Sequence, residues 1–358
     1  MIFEDSKEYI KNNYLRHKSG KINYIDLGFD RFGKVFPGIQ KARYICISAA
    51  PGVSKTRFAK FYFVFNALLH CHKNKIPVKF IFFCLEESKH AFICSVISMY
   101  LFHFYSIRCD YNNLNSITKD VTLNEQILNI LDSEHAIEFF EYFEECCDIV
   151  DYLYTPSQMH SYVMDYAQST GKFYNKHTPV TYNDNFTSYR PVELESYTIL
   201  LYDHVSLVEP EQGCETLHKA MSKLSKNNMF YRDILGYTPI NIHQQSASEE
   251  DLDHIEKKKI MPSGTGLADN KLLYRDYDIC LGLCSPKRYG ITNFLKYNIS
   301  QMGDNFRALN VFKNRYGISD VAIGLFFDGA TLYHEEMPEQ NDIIALKNIQ
   351  EKVKQLNN

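Results

Sequence analysis

Short apolar runs alternate along the chain with longer segments in which apolar residues recur every three or four positions. Each run ends in polar or turn-forming residues, as expected of a buried β-strand. The runs predict strands at Tyr44–Ser48, Val78–Leu85, Ser196–Leu201, Pro239–His243, Asp278–Leu283, Ala308–Phe312 and Val321–Phe327. Hydrophobic strands separated by helices predict an α/β fold with a mainly parallel central sheet flanked by helices.

The segments between the strands predict helices and two long loops. Helical spacing of apolar residues predicts helices at Ser6–His17, with Ser6 as N-cap, and at Arg57–Lys73, Ala91–Phe104 and Ala136–Val150. The spacing of Leu346, Ile349, Val353 and Leu356 predicts a final amphipathic helix. Two polar segments predict loops, Tyr174–Arg190 and Ser246–Asn270.

The link between the first strand and the helix after it carries the residues of a phosphate-binding loop. In order they are Ala49, Ala50, Pro51, Gly52, Val53, Ser54, Lys55 and Thr56. Such a loop presents inward-pointing N–H groups at a helix N-terminus, a Lys for the β- and γ-phosphates and a hydroxyl for Mg²⁺. Lys55 and Thr56 supply the last two groups. Ala49 and Ser54 stand where the G-x-x-x-x-G-K-[ST] pattern has glycine, and a Cβ at Ser54 resists the required backbone angles.

Three polar side chains follow the carboxyl ends of later strands. A carboxylate at Glu86 can polarise the water that attacks a γ-phosphate, and one at Asp203 can hold Mg²⁺. An amide at Gln244 can sense the γ-phosphate. Each residue alone also fits a solvated strand end, and their order after the phosphate loop favours a nucleotide site. Lys313 and Arg315 lie two residues apart on an extended segment, where they form either a phosphate clamp or an exposed basic turn.

Composition narrows the classes of protein to be considered. The 358 residues are 45% hydrophobic and 23% charged, as in globular proteins, and the net charge of −4 gives no overall basic field for nucleic acid. The N-terminus lacks the order of a signal peptide and no apolar run is long enough for a membrane helix, so a cytoplasmic protein is expected. The 10 cysteines show no zinc spacing, and Cys46, Cys84 and Cys280 are expected to be buried.

Taken in order, these motifs resemble the motor domain of the DnaB family of replicative helicases. The segment Leu27–Gln40 is similar to the start of that domain, and the phosphate loop is similar to its A-x-P-x-x-G-K-T loop. Cys84-Leu85-Glu86 and His243-Gln244 stand where the family has Ser-Leu-Glu and Ser-Gln. Tyr274–Ile279, Lys313-Asn314-Arg315-x-Gly317 and Phe327-Asp328-Gly329 resemble its later motifs. The resemblance covers about Gly28 to Glu336.

The resemblance implies a RecA-like P-loop NTPase core that binds ATP and Mg²⁺ between subunits of a hexameric ring. It makes Glu86 the catalytic glutamate, Asp203 the metal-binding aspartate and Gln244 the γ-phosphate sensor. Lys313 and Arg315 would reach the nucleotide of the neighbouring subunit, Arg315 as the arginine finger. The Ser246–Asn270 loop would contact single-stranded DNA through Lys257, Lys258, Lys259, Ser263 and Gly264, although three adjacent lysines also fit a solvated surface run.

The resemblance also implies a division of the chain. Residues 1–27 would form a linker and subunit-docking helix, 28–338 the motor domain with an insertion within 105–195, and 339–358 a C-terminal helix. A primase or helicase loader is an expected partner, and the missing primase-binding domain suggests a phage-type protein. Two alternatives stay open: a RecA- or KaiC-like ATPase in recombination or regulation, and a nucleotide-binding assembly protein in which Ser54 has abolished turnover.

Overall fold

The computed structural model describes residues 2–117, 123–246, 255 and 260–357. Its strands are β1 (Ile45–Ala49), β2 (Val78–Cys84), β3 (Cys147–Val150), β4 (Gly171–Asn175), β5 (Thr178–Val180), β6 (Ser188–Pro191), β7 (Tyr197–Asp203), β8 (Thr238–Gln244), β9 (Ile279–Cys284), β10 (Asn293–Phe294), β11 (Tyr297–Asn298), β12 (Phe306–Asn314), β13 (Val321–Asp328) and β14 (Tyr333–Glu336). The predicted strands are therefore confirmed to within one or two residues at most ends.

Helices lie between and around these strands. They are α1 (Ile2–Lys18), α2 (Lys55–Ala59), α3 (Asn66–Asn74), α4 (Lys89–Tyr105), α5 (Tyr111–Leu114), α6 (Glu125–Leu131), α7 (Glu134–Cys146), α8 (Pro156–Thr170), α9 (Leu217–Phe230), α10 (Ile299–Met302) and α11 (Ile343–Asn357). A π-helical segment, Lys60–Phe65, joins α2 to α3. One continuous helix therefore runs from the phosphate loop to Asn74. Within the part of the chain described, no helix is both long and apolar enough to cross a membrane.

The central sheet has the strand order β14-β13-β12-β9-β1-β8-β7-β2-β3. The strands from β9 to β3 pair in parallel, and β12, β13 and β14 extend the sheet antiparallel. The predicted fold class is confirmed, because the sheet is mainly parallel and flanked by helices. The carboxyl ends of β1, β2, β7 and β8 meet at one edge of the sheet, which is where the candidate residues were expected.

Both faces of the central strands are buried, which explains why these strands are almost continuously apolar. In β1, Ile45 and Ile47 enter a core shared with the phosphate-loop helix, α4 and α7. Cys46 enters a second core on the opposite face, with residues of α8 and α9. The predicted burial of Cys46, Cys84 and Cys280 is confirmed, since each is at most 1% exposed.

The sequence predictions were wrong in three places. The helix predicted over Ala136–Val150 ends at Cys146, and Cys147–Val150 becomes the edge strand β3 beside β2. The loop predicted over Tyr174–Arg190 contributes to a three-stranded antiparallel sheet, β5-β4-β6, which buries Phe173. Helix α1 already begins at Ile2, so Ser6 is not its N-cap. The four strands involved, β3 to β6, are short, and they pair segments that are distant in sequence or highly polar.

Candidate active site

The phosphate-binding loop folds as its motif predicts although it lacks the second glycine. It leaves β1 after Ala49 and enters α2 at Lys55. Gly52 has φ +73°, and Ser54 has φ +76° and ψ +31°, the left-handed conformation that glycine adopts most readily. A non-glycine residue there costs roughly 1–3 kcal/mol, so surrounding contacts must hold Ser54 in place.

The loop leaves backbone donors open for an anion. Among the residues that the structure describes, the N–H groups of Gly52, Ser54, Lys55 and Thr56 have no hydrogen-bond acceptor. Their position at the start of a helix adds the favourable end of the helix dipole. Lys55, the first residue of α2, is only 8% exposed. This set of donors fits the phosphates of a nucleotide.

Asp203, at the end of β7, lies beside the loop. Thr56 Oγ1 donates a 3.0 Å hydrogen bond to Asp203 Oδ1, whereas Oδ2 is buried without a partner. Burial, aided by the nearby carboxylates of Glu86 and Glu87 and opposed by the Thr56 hydrogen bond, raises the pKa of Asp203 to about 7. A carboxylate oxygen and a hydroxyl with unused ligand capacity fit Mg²⁺, which prefers oxygen ligands.

Glu86 lies two residues after the end of β2 and is exposed at the same edge of the sheet. The register pairs Cys84 with Asp203, and the Leu85 N–H donates to the Asp203 carbonyl at 2.8 Å, so Glu86 lies next to the candidate metal ligand. The following Glu87 forms an ion pair with Lys60 of the phosphate-loop helix. Lys60 is 2% exposed and ties the turn that carries Glu86 to that helix. Sequence analysis missed Lys60 because it stands alone in an apolar run.

Gln244 ends β8 in register with Ala49, so the structure brings it to the phosphate loop. Its neighbours connect this point to the predicted DNA-contact loop. His243 is fully buried, with Nε2 2.7 Å from the Ala268 carbonyl and Nδ1 3.3 Å from the Tyr277 hydroxyl. Burial lowers the pKa of His243 to about 4, so the ring is neutral. Gln245 donates from Nε2 to Ser48 Oγ at 2.7 Å.

The predicted DNA-contact loop is described only at its two ends. Lys257, Lys258 and Lys259 lie outside the described residues. Gln245 Oε1 accepts a hydrogen bond from the Ser263 N–H, which fixes the returning end of the loop beside β1. A Cβ on Gly264 would lie 2.7 Å from the Tyr274 ring, so that ring excludes any larger residue at this position.

Lys313 and Arg315 lie at the opposite edge of the sheet from the phosphate loop. Ile279 pairs with Asn314 and also with Ile45, the residue at the start of β1, whereas the loop follows the other end of β1. Arg315 Nη1 donates to Asp278 Oδ1 at 3.1 Å, and Lys313 donates to the Tyr274 carbonyl. The structure therefore brings the two cations together, but far from the candidate nucleotide site of their own chain.

A cavity of about 790 Å³ opens beside the phosphate loop, Asp203 and Glu86. Thr56, Asp203, Glu86 and Glu87 line it together with Gly329 of the last motif and with residues that sequence analysis did not single out, including Arg57, Arg108 and Tyr111. Arg57 donates to the Gly329 carbonyl at 2.9 Å, which joins the helix to the turn after β13. Isolated arginines carry no spacing signal in the sequence, so only the fold could reveal that they line the cavity.

Comparison with known proteins rests on structure, since no family model and no curated protein sequence matches this chain. One solved ATPase domain superposes with a TM-score of 0.62 at 17% identity, over 93% of this chain and 98% of that one. A DnaB-like replicative helicase, solved with its interactions with primase, superposes with a TM-score of 0.62 at 16% identity. The match covers 92% of this chain and 66% of that helicase, so this chain spans less than two thirds of its length. This chain therefore has the RecA-like ATPase fold of the DnaB-type helicase domain.

Proposed function

We propose that the chain is an ATP-dependent DNA helicase of the DnaB type, which hydrolyses ATP at subunit interfaces to move along single-stranded DNA during replication. One observation carries the proposal. The candidate groups for binding and hydrolysing a nucleotide lie at one edge of the sheet, and the Lys313–Arg315 pair lies at the other. Those groups belong to Lys55, Thr56, Glu86 and Asp203. Such a site is completed only when a second subunit places its pair against the first.

In the proposed reaction each residue acts on a defined part of the substrate. The open N–H groups of the loop and the Lys55 ammonium bind the phosphates of ATP. Thr56 and Asp203 would hold Mg²⁺, which would neutralise charge on the phosphates. Glu86 accepts a proton from the attacking water, and Arg315 of the neighbouring subunit stabilises charge on the transferred phosphoryl group. An arginine finger typically contributes about 10³–10⁵ in rate.

The proposed link to DNA runs through the last residues of β8 and the residue that follows it. Gln244 lies beside the phosphate loop, and the Ala268 N–H donates to the Gln244 carbonyl at 2.8 Å. His243 and Gln245 bind the same returning segment. A change at the γ-phosphate is therefore transmitted to the loop that carries Ser263 and Gly264. Lys257, Lys258 and Lys259 would hold the phosphates of the single strand.

The proposal includes an oligomeric ring, with a hexamer as its expected form, and a primase or helicase loader as partner. Helix α1, which would dock on the next subunit, exposes several large apolar residues: Phe3, Tyr9, Ile10, Tyr14 and Leu15. A helix with so many exposed apolar side chains fits a surface that another subunit covers.

Steady-state ATP hydrolysis with and without single-stranded DNA, beside Lys55→Ala and Arg315→Ala, tests the proposal. We expect DNA to stimulate ATP hydrolysis by the wild type. We expect both variants to hydrolyse ATP at least about 10³-fold more slowly than the wild type. Strand separation on a forked substrate separates a helicase from a recombinase or regulatory ATPase. Absence of hydrolysis in the assembled wild type would contradict the motor and favour a nucleotide-binding assembly protein.

A further inference from the structure

Arg307, on β12, is a buried cation that donates one hydrogen bond to the phosphate loop. Its side chain is 6% exposed, and Nε donates to the Val53 carbonyl at 3.1 Å. Nη1 donates to the carbonyls of Asp304 and Phe306, at 2.7 and 2.9 Å, and lies 3.4 Å from Ser285 Oγ. The guanidinium also stacks over the Phe327 ring at 4.5 Å. All of these partner groups are neutral, so the cation is held without a hydrogen bond to a carboxylate.

The contact with Val53 orients the peptide that leads into Ser54. In a trans peptide the C=O and the following N–H point in opposite directions. Since Arg307 holds the Val53 carbonyl, the Ser54 N–H is directed away from β12 and is one of the open donors of the loop. Arg288, from the segment after β9, contacts the Pro51 carbonyl and directs the Gly52 N–H by the same geometry.

The Arg307–Val53 hydrogen bond lies next to Ser54, the residue that stands where loops of this kind usually have glycine. Ser54 holds the left-handed conformation, and the peptide before it is the one that Arg307 binds. A buried hydrogen bond from a charged donor typically contributes more than a neutral one, enough to offset a strained residue of this kind. A protein with glycine at this position has no such strain to offset.

We propose that Arg307 is a positioning residue that preorganises the phosphate loop and compensates for Ser54 in place of glycine. The inference rests on the proposed nucleotide site but concerns binding, so its main test needs neither hydrolysis nor DNA. Removal of the Arg307–Val53 hydrogen bond weakens nucleotide binding in the protein with Ser54. When residue 54 is glycine, the same removal lowers the affinity for nucleotide much less.

The test is a double-mutant cycle on the full chain, with Mg²⁺–ADP affinity measured by calorimetry. Arg307→Met keeps much of the buried volume and should weaken ADP at least about tenfold, the scale of one hydrogen bond to a charged group. In the Ser54→Gly background the same change should cost less than about threefold. Arg307→Lys, which keeps a cation near the carbonyl, should restore part of the affinity and is used if Arg307→Met does not fold.

Arg31→Met is the matched control, because Arg31 also donates to a main-chain carbonyl, that of Met337, away from the loop. It should leave ADP affinity unchanged. In steady state, Arg307→Met should raise KM with a smaller effect on kcat. Equal losses in the wild-type and Ser54→Gly backgrounds would overturn the inference while leaving the proposed function intact. A wild-type chain that binds no ADP would overturn both.

Discussion

Thr56 donates a hydrogen bond to one carboxylate oxygen of Asp203, and the other oxygen of Asp203 is buried without a partner. In the nucleotide-free protein this arrangement places a carboxyl group where its charged form is poorly solvated. The free-energy cost of ionising this buried carboxyl group is consistent with a site that is complete only with a cation. Strained or unsatisfied groups gather at functional sites.

Asp203→Asn should stabilise the nucleotide-free protein in a pH-dependent way. The pKa of Asp203 is raised above its unfolded value, so its stabilising contribution is complete below about pH 4 and is lost as pH rises through about 7. Asparagine does not ionise, so the variant should exceed the wild-type Tm by a few degrees at pH 8 and by less at pH 5, while losing hydrolysis. Scanning calorimetry without Mg²⁺ measures both differences. A Tm gain that is the same at both pH values would contradict this account.

The ion pair between Lys60, which is buried, and Glu87, which is partly buried, should stabilise both the fold and the turn that carries Glu86. Lys60→Met leaves Glu87 unpaired beside a buried helix and should lower the free energy of unfolding by about 3–5 kcal/mol, with a fall in kcat. Lys60→Met combined with Glu87→Leu should recover most of the stability and not the activity. Urea titrations measure the stabilities, and enzyme assays the rates.

Lys79→Met is the control for this experiment. Lys79 pairs with Asp148 at 2.7 Å, but both side chains are more exposed than Lys60. A pair of this kind typically contributes no more than about 1 kcal/mol. A loss as large as that of Lys60→Met would mean that the position of the pair beside the site is irrelevant.

Mixing Lys55→Ala with Arg315→Ala should restore hydrolysis that neither protein has alone. An intact site forms where an Arg315→Ala subunit supplies the phosphate loop and a Lys55→Ala subunit supplies the finger. Random mixing in a closed ring would recover up to about one quarter of wild-type activity. Assays after subunit exchange, confirmed by energy transfer between labelled subunits, provide the measurement. Exchange without recovery would show that Arg315 does not act across an interface.

Substitution of the exposed apolar residues of α1 should weaken assembly. Ile10 and Tyr14 are 66% and 61% exposed, so Ile10→Ser with Tyr14→Ser should cost the monomer little. The double variant should sediment as smaller species than the wild type, and ATPase activity should become dependent on protein concentration. Lys11→Ser, on the same helix, serves as the control. An unchanged sedimentation coefficient for the double variant would leave α1 without a role in assembly.

Local patterns were enough to predict the parts of this chain whose structure depends on near neighbours. The strand–loop–helix order around Lys55 and the apolar strands ending at Asp203 and Gln244 follow from periodicity and turn chemistry. Parallel strands bring their carboxyl ends to one edge, so the order of motifs also predicted which residues would meet. The edge strand β3 was missed because Cys147–Val150 continues an apolar helical stripe and is distinguished only by pairing with β2.

The sequence by itself determined the fold class and the residues of the phosphate loop, because backbone hydrogen bonding and the burial of short apolar runs act over short stretches. Only the tertiary structure decided that Lys60 pairs with Glu87, that Arg307 holds the Val53 carbonyl and that Arg315 lies at the far edge from its own loop. These relationships join residues that are 27 to more than 250 positions apart. Their side chains meet through the order of strands in the sheet, for which no single segment carries a signal.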